Sequence, residues 1–100
     1  MAFERKWPHP GALDDEELAE ALSLVLRDSE TNRLLNELFA NTRKVRLGEA
    51  ERDRDLEDRL RHRVYQAIHS MFPKATLSDG YEISRHLDAE LGRRLAQDSS

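Results

Sequence analysis

The chain has 100 residues, of which 38% are hydrophobic and 36% charged, and its formal net charge is −4. A chain of this length forms one domain with a modest core, and its charged fraction exceeds the roughly 25% of an average domain. It contains no cysteine, which excludes disulfides, a thiolate nucleophile and Cys-ligated zinc and favours a cytoplasmic location.

Residues 1–13 are predicted to form an irregular N-terminal arm, followed by a single helical domain over residues 14–100. The charged residues 4–6 interrupt any apolar run, so we expect neither a signal peptide nor a membrane span. Trp7, the only tryptophan, lies on this arm between turn-forming residues. It either folds back onto the helices or anchors a partner, because tryptophan is common in both places.

The first two helices are predicted over residues 14–27 and 29–46. Asp14 and Glu17 have the spacing of a capping box, which sets the start of the first helix. Gly48 is suited to cap the end of the second helix in a left-handed conformation. Basic residues precede this glycine, at the end of a helix where cations are stabilising.

The third helix is predicted over residues 49–72, with the proline that follows Phe72 ending it. Its apolar stripe at helical spacing consists of Leu56, Leu60, Val64, Ala67, Ile68 and Met71. The fourth helix is predicted over residues 79–96, where Asp79 and Glu82 repeat the capping-box spacing. The sequence therefore predicts an all-α fold, a compact bundle of about four helices around a long central third helix.

Histidines and carboxylates are the candidates for chemistry, but their spacing matches no known site. His62 and His69 share a helix face, with Asp58 one turn earlier, whereas zinc sites usually need more closely spaced ligands. No carboxylate pair lies in an apolar setting that would shift its pKa, and no glycine-rich phosphate loop is present. We expect no cofactor, no metal and no catalytic activity.

Nucleic-acid binding is an alternative, because Arg43, Lys44, Arg59 and Arg63 offer cations to a phosphate backbone. The net negative charge and the alternating signs along the fourth helix oppose direct contact with nucleic acid. A small helical DNA-binding regulator therefore remains an alternative interpretation. A helical adaptor or homodimer is a third, and the oligomeric state is left open.

Charge is segregated along the chain. Residues 14–30 contain seven acids and one base, Arg27, while residues 31–48 are basic. Such a polarised surface is either a solvated helix face or a surface that selects a partner of opposite charge. A protein that normally binds nucleic acid has a basic surface, and such a protein would be a suitable partner for the acidic segment.

A cysteine-free, all-α chain of this size, with an acidic helix and no active site, resembles the small phage-encoded anti-CRISPR proteins. The features that carry the resemblance are the Trp7-Pro8-His9-Pro10-Gly11 arm, the Asp14-Asp15-Glu16-Glu17 helix start and the charged long helix. The resemblance implies a non-catalytic inhibitor that binds Cas subunits of a type I surveillance complex in an infected bacterial host. Such an inhibitor blocks target DNA hybridisation or recruitment.

The candidate partner-binding residues combine one apolar anchor with acidic side chains that would bind the lysines and arginines of a nucleic-acid path. They are Trp7, Asp14, Asp15, Glu16, Glu20 and Glu30. We expect a protein partner, no direct nucleic-acid contact and no membrane association.

Overall fold

The structure, a computed structural model, describes residues 3–98. Four helices follow the irregular arm: α1 (Asp15–Arg27), α2 (Ser29–Arg46), α3 (Arg54–Met71) and α4 (Leu77–Asp98). The predicted all-α bundle of four helices is confirmed. Residues 1, 2, 99 and 100, at the outer ends of the predicted arm and domain, lie outside the described residues.

Each helix contacts the other three, and α3 makes the most extensive contacts, as expected for a central helix. The core contains the predicted α3 stripe from Leu56 to Ile68, which packs against Leu18, Leu35 and Ile83. Met71 was predicted to complete this stripe, but it is 41% exposed. It is the last residue of α3, where the helix leaves the core.

The end of α2 and the start of α3 are set by two hydrogen-bonded motifs. Gly48 has φ +74° and closes α2 as predicted, with its N–H and that of Glu49 donating to carbonyls in the last turn. The prediction that α3 begins at Glu49 is wrong, because Asp53 caps the helix by accepting from the Leu56 N–H at 3.0 Å. Asn41 of α2 holds the intervening loop by accepting from the Asp53 N–H at 3.1 Å.

The start of α4 also differs from the prediction. Asp79 does not cap this helix; Thr76 does, and Asp79 occupies the third helical position. The Thr76 N–H donates to Asp79 Oδ2 at 2.9 Å, and the Asp79 N–H donates to Thr76 Oγ1 at 3.4 Å. The capping box is therefore present three residues earlier than predicted, with Asp79 as its second member, and Glu82 is left free for other contacts.

Asp28 joins three helices, because it ends α1, caps α2 and binds α3. Its carboxylate accepts from the Thr31 N–H at 2.9 Å and from both Nε and Nη2 of Arg63, at 3.0 and 2.7 Å. The hydrogen bond from Arg63 holds the pKa of Asp28 well below its usual range. This contact fixes the α1–α2 junction against the central helix.

Candidate functional site

The N-terminal arm is seated on α4 by two buried carboxylates. Asp79 is 1% exposed and accepts from the N–H groups of Ala12 and Leu13, at 3.0 and 3.2 Å. Glu82 is 2% exposed, and its Oε2 accepts from the N–H groups of Lys6 and Trp7, at 2.6 and 3.2 Å. Because a buried carboxylate needs such donors, the backbone of the arm stabilises Asp79 and one oxygen of Glu82, while Glu82 Oε1 is buried without a hydrogen-bond partner within residues 3–98.

Gly11 lets the arm approach α4 closely enough for these bonds. A Cβ at this position would lie 2.0 Å from Asp79 Oδ1, far inside van der Waals contact. Near the start of the arm, His86 Nε2 lies 2.9 Å from the carbonyl oxygen of Glu4. The arm is thus held on α4 at several points along its length.

Trp7 therefore lies at a fixed place on the surface, half-buried against α4. Its ring centroid is 5.0 Å from that of Tyr81 and 5.5 Å from that of His9. The guanidinium carbon of Arg85 lies 5.3 Å from the Trp7 ring centroid, which is within cation–π range. The structure brings together an indole, a phenol and a guanidinium, the side chains enriched at protein-interface hot spots.

Beside Trp7, a cavity of about 420 Å³ opens between the arm, α2, α3 and α4; we call it the arm cleft. Its apolar lining is formed by Leu38, Leu60 and Leu87, which are almost fully buried. Tyr81 and Ser84 add hydroxyl groups. The cleft thus combines an apolar lining with polar groups at its wall.

Charged side chains also line the arm cleft. Arg52 donates from Nε and Nη2 to Glu57, at 2.6 and 2.7 Å, and this hydrogen bond lowers the pKa of Glu57. Arg85 lies 3.8 Å from Asp88, whose pKa is raised because neighbouring atoms partly desolvate its carboxyl group. The cleft therefore contains one hydrogen-bonded ion pair, Arg52–Glu57, and one longer ionic contact, Arg85–Asp88.

The predicted acidic residues fall into two separate groups. Asp14, Glu16 and Glu20 lie at the start of α1, are exposed and make no ion pair within residues 3–98; we call these three the acidic surface. Asp15 is neutralised by Arg5 at 2.8 Å. The structure thus brings together four of the five predicted acids, of which three make no ion pair in the described residues; Lys74, which binds Glu17, lies within electrostatic reach of Asp14.

Glu30 is not part of this group. It lies in the first turn of α2, beyond the far end of α1, and the part of α1 that follows Glu20 alone spans roughly 10 Å at 1.5 Å per residue. It forms an ion pair with Arg33, which lowers its pKa. Glu30 is therefore both distant from the acidic surface and locally compensated.

Most of the basic residues considered for DNA binding form ion pairs with acidic residues. Arg43 binds Asp98 at 2.9 Å, Arg59 binds Asp55 at 3.2 Å, and Arg63 binds Asp28. Of the four residues of that alternative, only Lys44 has no ion pair in the described part of the chain. A phosphate backbone would have to compete with carboxylates for the other three.

Residues 3–98 contain neither a candidate metal cluster nor a helix suited to span a membrane. Between residues 3 and 98, no three histidine, aspartate or glutamate side chains are grouped so that they could hold a metal ion. His62 and His69 are exposed on α3, and His69 stacks on Tyr65 with a centroid distance of 5.7 Å. None of the four described helices is both long and apolar enough to cross a bilayer.

Sequence reasoning missed the role of Asp79 and Glu82 and the contribution of Arg85 to the cleft. A signal was present, since Asp79, Glu82 and His86 occur at helical spacing beside the buried Ile83. Acidic residues on the apolar face of a helix are rarely buried without a partner. Their partner is the backbone of the arm, which no side-chain pattern reveals.

Comparison of the chain with protein-family models, with curated proteins and with solved structures found no match in any of the three.

Proposed function

We propose that this protein is a non-catalytic inhibitor that binds a protein partner through the acidic surface. The observation that carries the proposal is the exposed charge of Glu16 and Glu20, which make no ion pair in the described part of the chain, in contrast to the ion-paired state of most cations considered for DNA binding. Exposed charge of one sign speeds association with a surface of the opposite sign and rejects surfaces of its own sign. The partner is therefore a protein with a lysine- or arginine-rich face.

The partner we propose is a Cas subunit of a type I surveillance complex, in keeping with the resemblance to anti-CRISPR proteins. The acidic surface would occupy cations that otherwise hold guide or target nucleic acid, and so block DNA hybridisation or recruitment. Trp7 supports this proposal as an apolar anchor, because the arm holds its ring half-exposed beside Tyr81 and Arg85. A prepositioned aromatic ring loses little conformational entropy on binding.

The experiment is co-elution of the purified protein with purified type I surveillance complexes, followed by a target-DNA mobility shift. We expect a stable complex after nuclease treatment and a loss of the DNA shift as the protein is added. A protein that leaves the DNA shift unchanged and does not co-elute with complexes of any type I subtype tested would overturn the proposed partner.

The acidic surface is tested with a charge reversal that spares the helix cap. Glu16→Lys with Glu20→Lys changes two exposed residues without touching Asp14, whose carboxylate accepts the Glu17 N–H at 2.8 Å. The matched control is Glu49→Lys with Glu51→Lys, the same charge change in the exposed loop before α3. Binding should fall at least tenfold in the first variant and little in the second. Equal binding by both would refute the role of the acidic surface.

The DNA-binding alternative is tested by measuring the binding of the same protein and its variants to duplex DNA at several salt concentrations. Phosphate contacts lose affinity steeply as salt rises. Direct, salt-sensitive binding of duplex DNA by the isolated protein, reduced by Lys44→Gln, would favour that alternative over the inhibitor.

A further inference from the structure

Two large apolar side chains are exposed next to each other on α4. Leu77, in the first turn of the helix, is 63% exposed, and Tyr81, four residues later, is 40% exposed. Residues four apart lie on the same face of a helix, so the two side chains form one apolar strip. Single exposed leucines are common on protein surfaces, whereas adjacent large apolar side chains are typical of interaction sites.

A cavity of about 250 Å³ opens beside this strip, between α3 and α4. Its lining includes both side chains of the strip, together with Tyr65 of α3 and Gly80 of α4. The volume is below the roughly 300–1,000 Å³ of small-molecule sites and suits one apolar side chain of another chain. Trp7 lines the arm cleft and not this cavity. We call the strip and the cavity the α3–α4 patch.

The charged side chains around the α3–α4 patch are balanced. Arg61 of α3 lies 3.4 Å from Asp58, and Arg85 of α4 lies 3.8 Å from Asp88. Identical surfaces repel each other when they carry charge of one sign, as two copies of the acidic surface on α1 would. Two cations and two anions on one face cause no such net repulsion. The α3–α4 patch can therefore face a second copy of itself.

We infer that the α3–α4 patch is the contact between two copies of this chain in a two-fold symmetric dimer. A two-fold contact brings the same patch of both copies together, so the patch must complement itself. The α3–α4 patch meets this condition, because it has a projecting side chain, Leu77, directly beside a cavity of side-chain size. Leu77 of each copy enters the cavity of the other and is removed from water.

The size of the face predicts a weak dimer. The 18 residues of α3 form a helix roughly 27 Å long, and two packed helices are roughly 20 Å wide. The face therefore offers roughly 500 Å² per copy, or roughly 1,000 Å² in total, which is near the lower limit for a specific interface. We expect a dissociation constant on the order of 10–100 μM.

A dimer also changes how the proposed inhibitor would bind, and this consequence alone rests on the proposed function. Each copy carries its acidic surface on α1, outside the patch, so a dimer presents two acidic surfaces. A partner complex with two basic faces within reach is then bound bivalently, with a higher apparent affinity than a monomer achieves. The dimer itself depends only on the patch.

Sedimentation equilibrium of the purified protein tests the inference over about 5–500 μM, a range that spans the expected dissociation constant. The mass should rise with concentration from 11.6 kDa towards twice that value. Leu77→Glu places a charge in the contact and should weaken dimerisation at least tenfold, while an acid in the first turn of α4 is compatible with the helix.

The matched control is Leu47→Glu, the same substitution at a leucine that is 69% exposed outside the patch. This variant should dimerise as the wild type does, and circular dichroism checks that both variants are folded. Nitrogen–proton correlation spectra locate the contact. Between dilute and concentrated samples, the amide resonances of Tyr81 and Ser84, which line the cavity, should shift, whereas that of Leu47 should not.

The inference is wrong if the protein stays monomeric at about 500 μM, if the two leucine variants dimerise equally, or if the resonance shifts are confined to residues outside the patch. A monomeric wild type whose Leu77→Glu variant no longer co-elutes with a type I surveillance complex would assign the patch to that partner and overturn the dimer. A dimer that co-elutes with no surveillance complex would instead support the dimer and overturn the proposed partner.

Discussion

Gly11→Ala should destabilise the protein strongly, although it adds only one methyl group to an arm residue. The new Cβ would lie 2.0, 2.4 and 2.7 Å from three atoms of the Asp79 carboxylate. That carboxylate is 1% exposed and also accepts from the Thr76 N–H at 2.9 Å, so it cannot swing aside. The arm must move away instead, and the bonds from the Ala12 and Leu13 N–H groups break.

Each of the two lost hydrogen bonds to a charged group contributes about 1.5–3 kcal/mol, so we expect a loss of about 3–6 kcal/mol in the free energy of unfolding. For a domain of this size that corresponds to a fall in Tm of at least about 12 °C. Urea unfolding and thermal melts followed by circular dichroism give both values. Trp7 emission reports whether the arm has left α4, because its ring would become more exposed to water.

The control is Gly92→Ala, the same substitution in α4 where a Cβ would meet nothing within 4 Å. Because alanine is the better helix former, this variant should gain up to about 1 kcal/mol. The two substitutions should therefore change stability in opposite directions. A Gly11→Ala variant within about 1 kcal/mol of the wild type would refute the close seating of the arm on Asp79.

Three further predictions concern other parts of the molecule. Asp28→Asn keeps a helix-capping side chain but loses the ionic bond to α3, so it should cost about 1–2 kcal/mol at pH 7. Since the pKa of Asp28 is lower in the folded than in the unfolded protein, the wild type loses its extra stability as pH falls below the ordinary pKa of 3.8. In urea unfolding, the difference in free energy of unfolding between the wild type and Asp28→Asn should therefore shrink from pH 4 downwards. A difference that stays constant would contradict the ionic bond between Asp28 and Arg63. Asn41→Ala should cost about 1–2 kcal/mol and speed hydrogen exchange at the Asp53 amide, whereas unchanged exchange would mean that the loop is held in another way. Glu16→Lys with Glu20→Lys should lower the free energy of unfolding by less than about 2 kcal/mol, because Glu16 lies in the first turn of α1 near the positive end of the helix dipole; a larger loss in urea unfolding would give the acidic surface a structural role.

The number and approximate positions of the helices could be predicted from the sequence, because helix formation depends on residues that are close together in the chain. The apolar stripe of α3, the Asp14–Glu17 capping box and the left-handed Gly48 are local features, and the structure has all three. The start of α3 was not readable in this way. Residues 49–53, four of which are charged, resemble a first helical turn, but hydrogen bonds with Asn41, on another helix, hold them as a loop.

The sequence by itself determined the fold class, the apolar core and the acidic start of α1, because periodicity, capping and charge order are properties of short segments. Only the tertiary structure decided where the arm lies and what it builds. The bonds from Ala12 to Asp79 and from Trp7 to Glu82 join residues 67 and 75 positions apart. They use backbone N–H groups, which every residue except proline carries. The hydrogen bonds between the arm backbone and the α4 carboxylates therefore cannot be predicted from the pattern of side chains. The arm cleft depends on these bonds and forms only when the chain is folded.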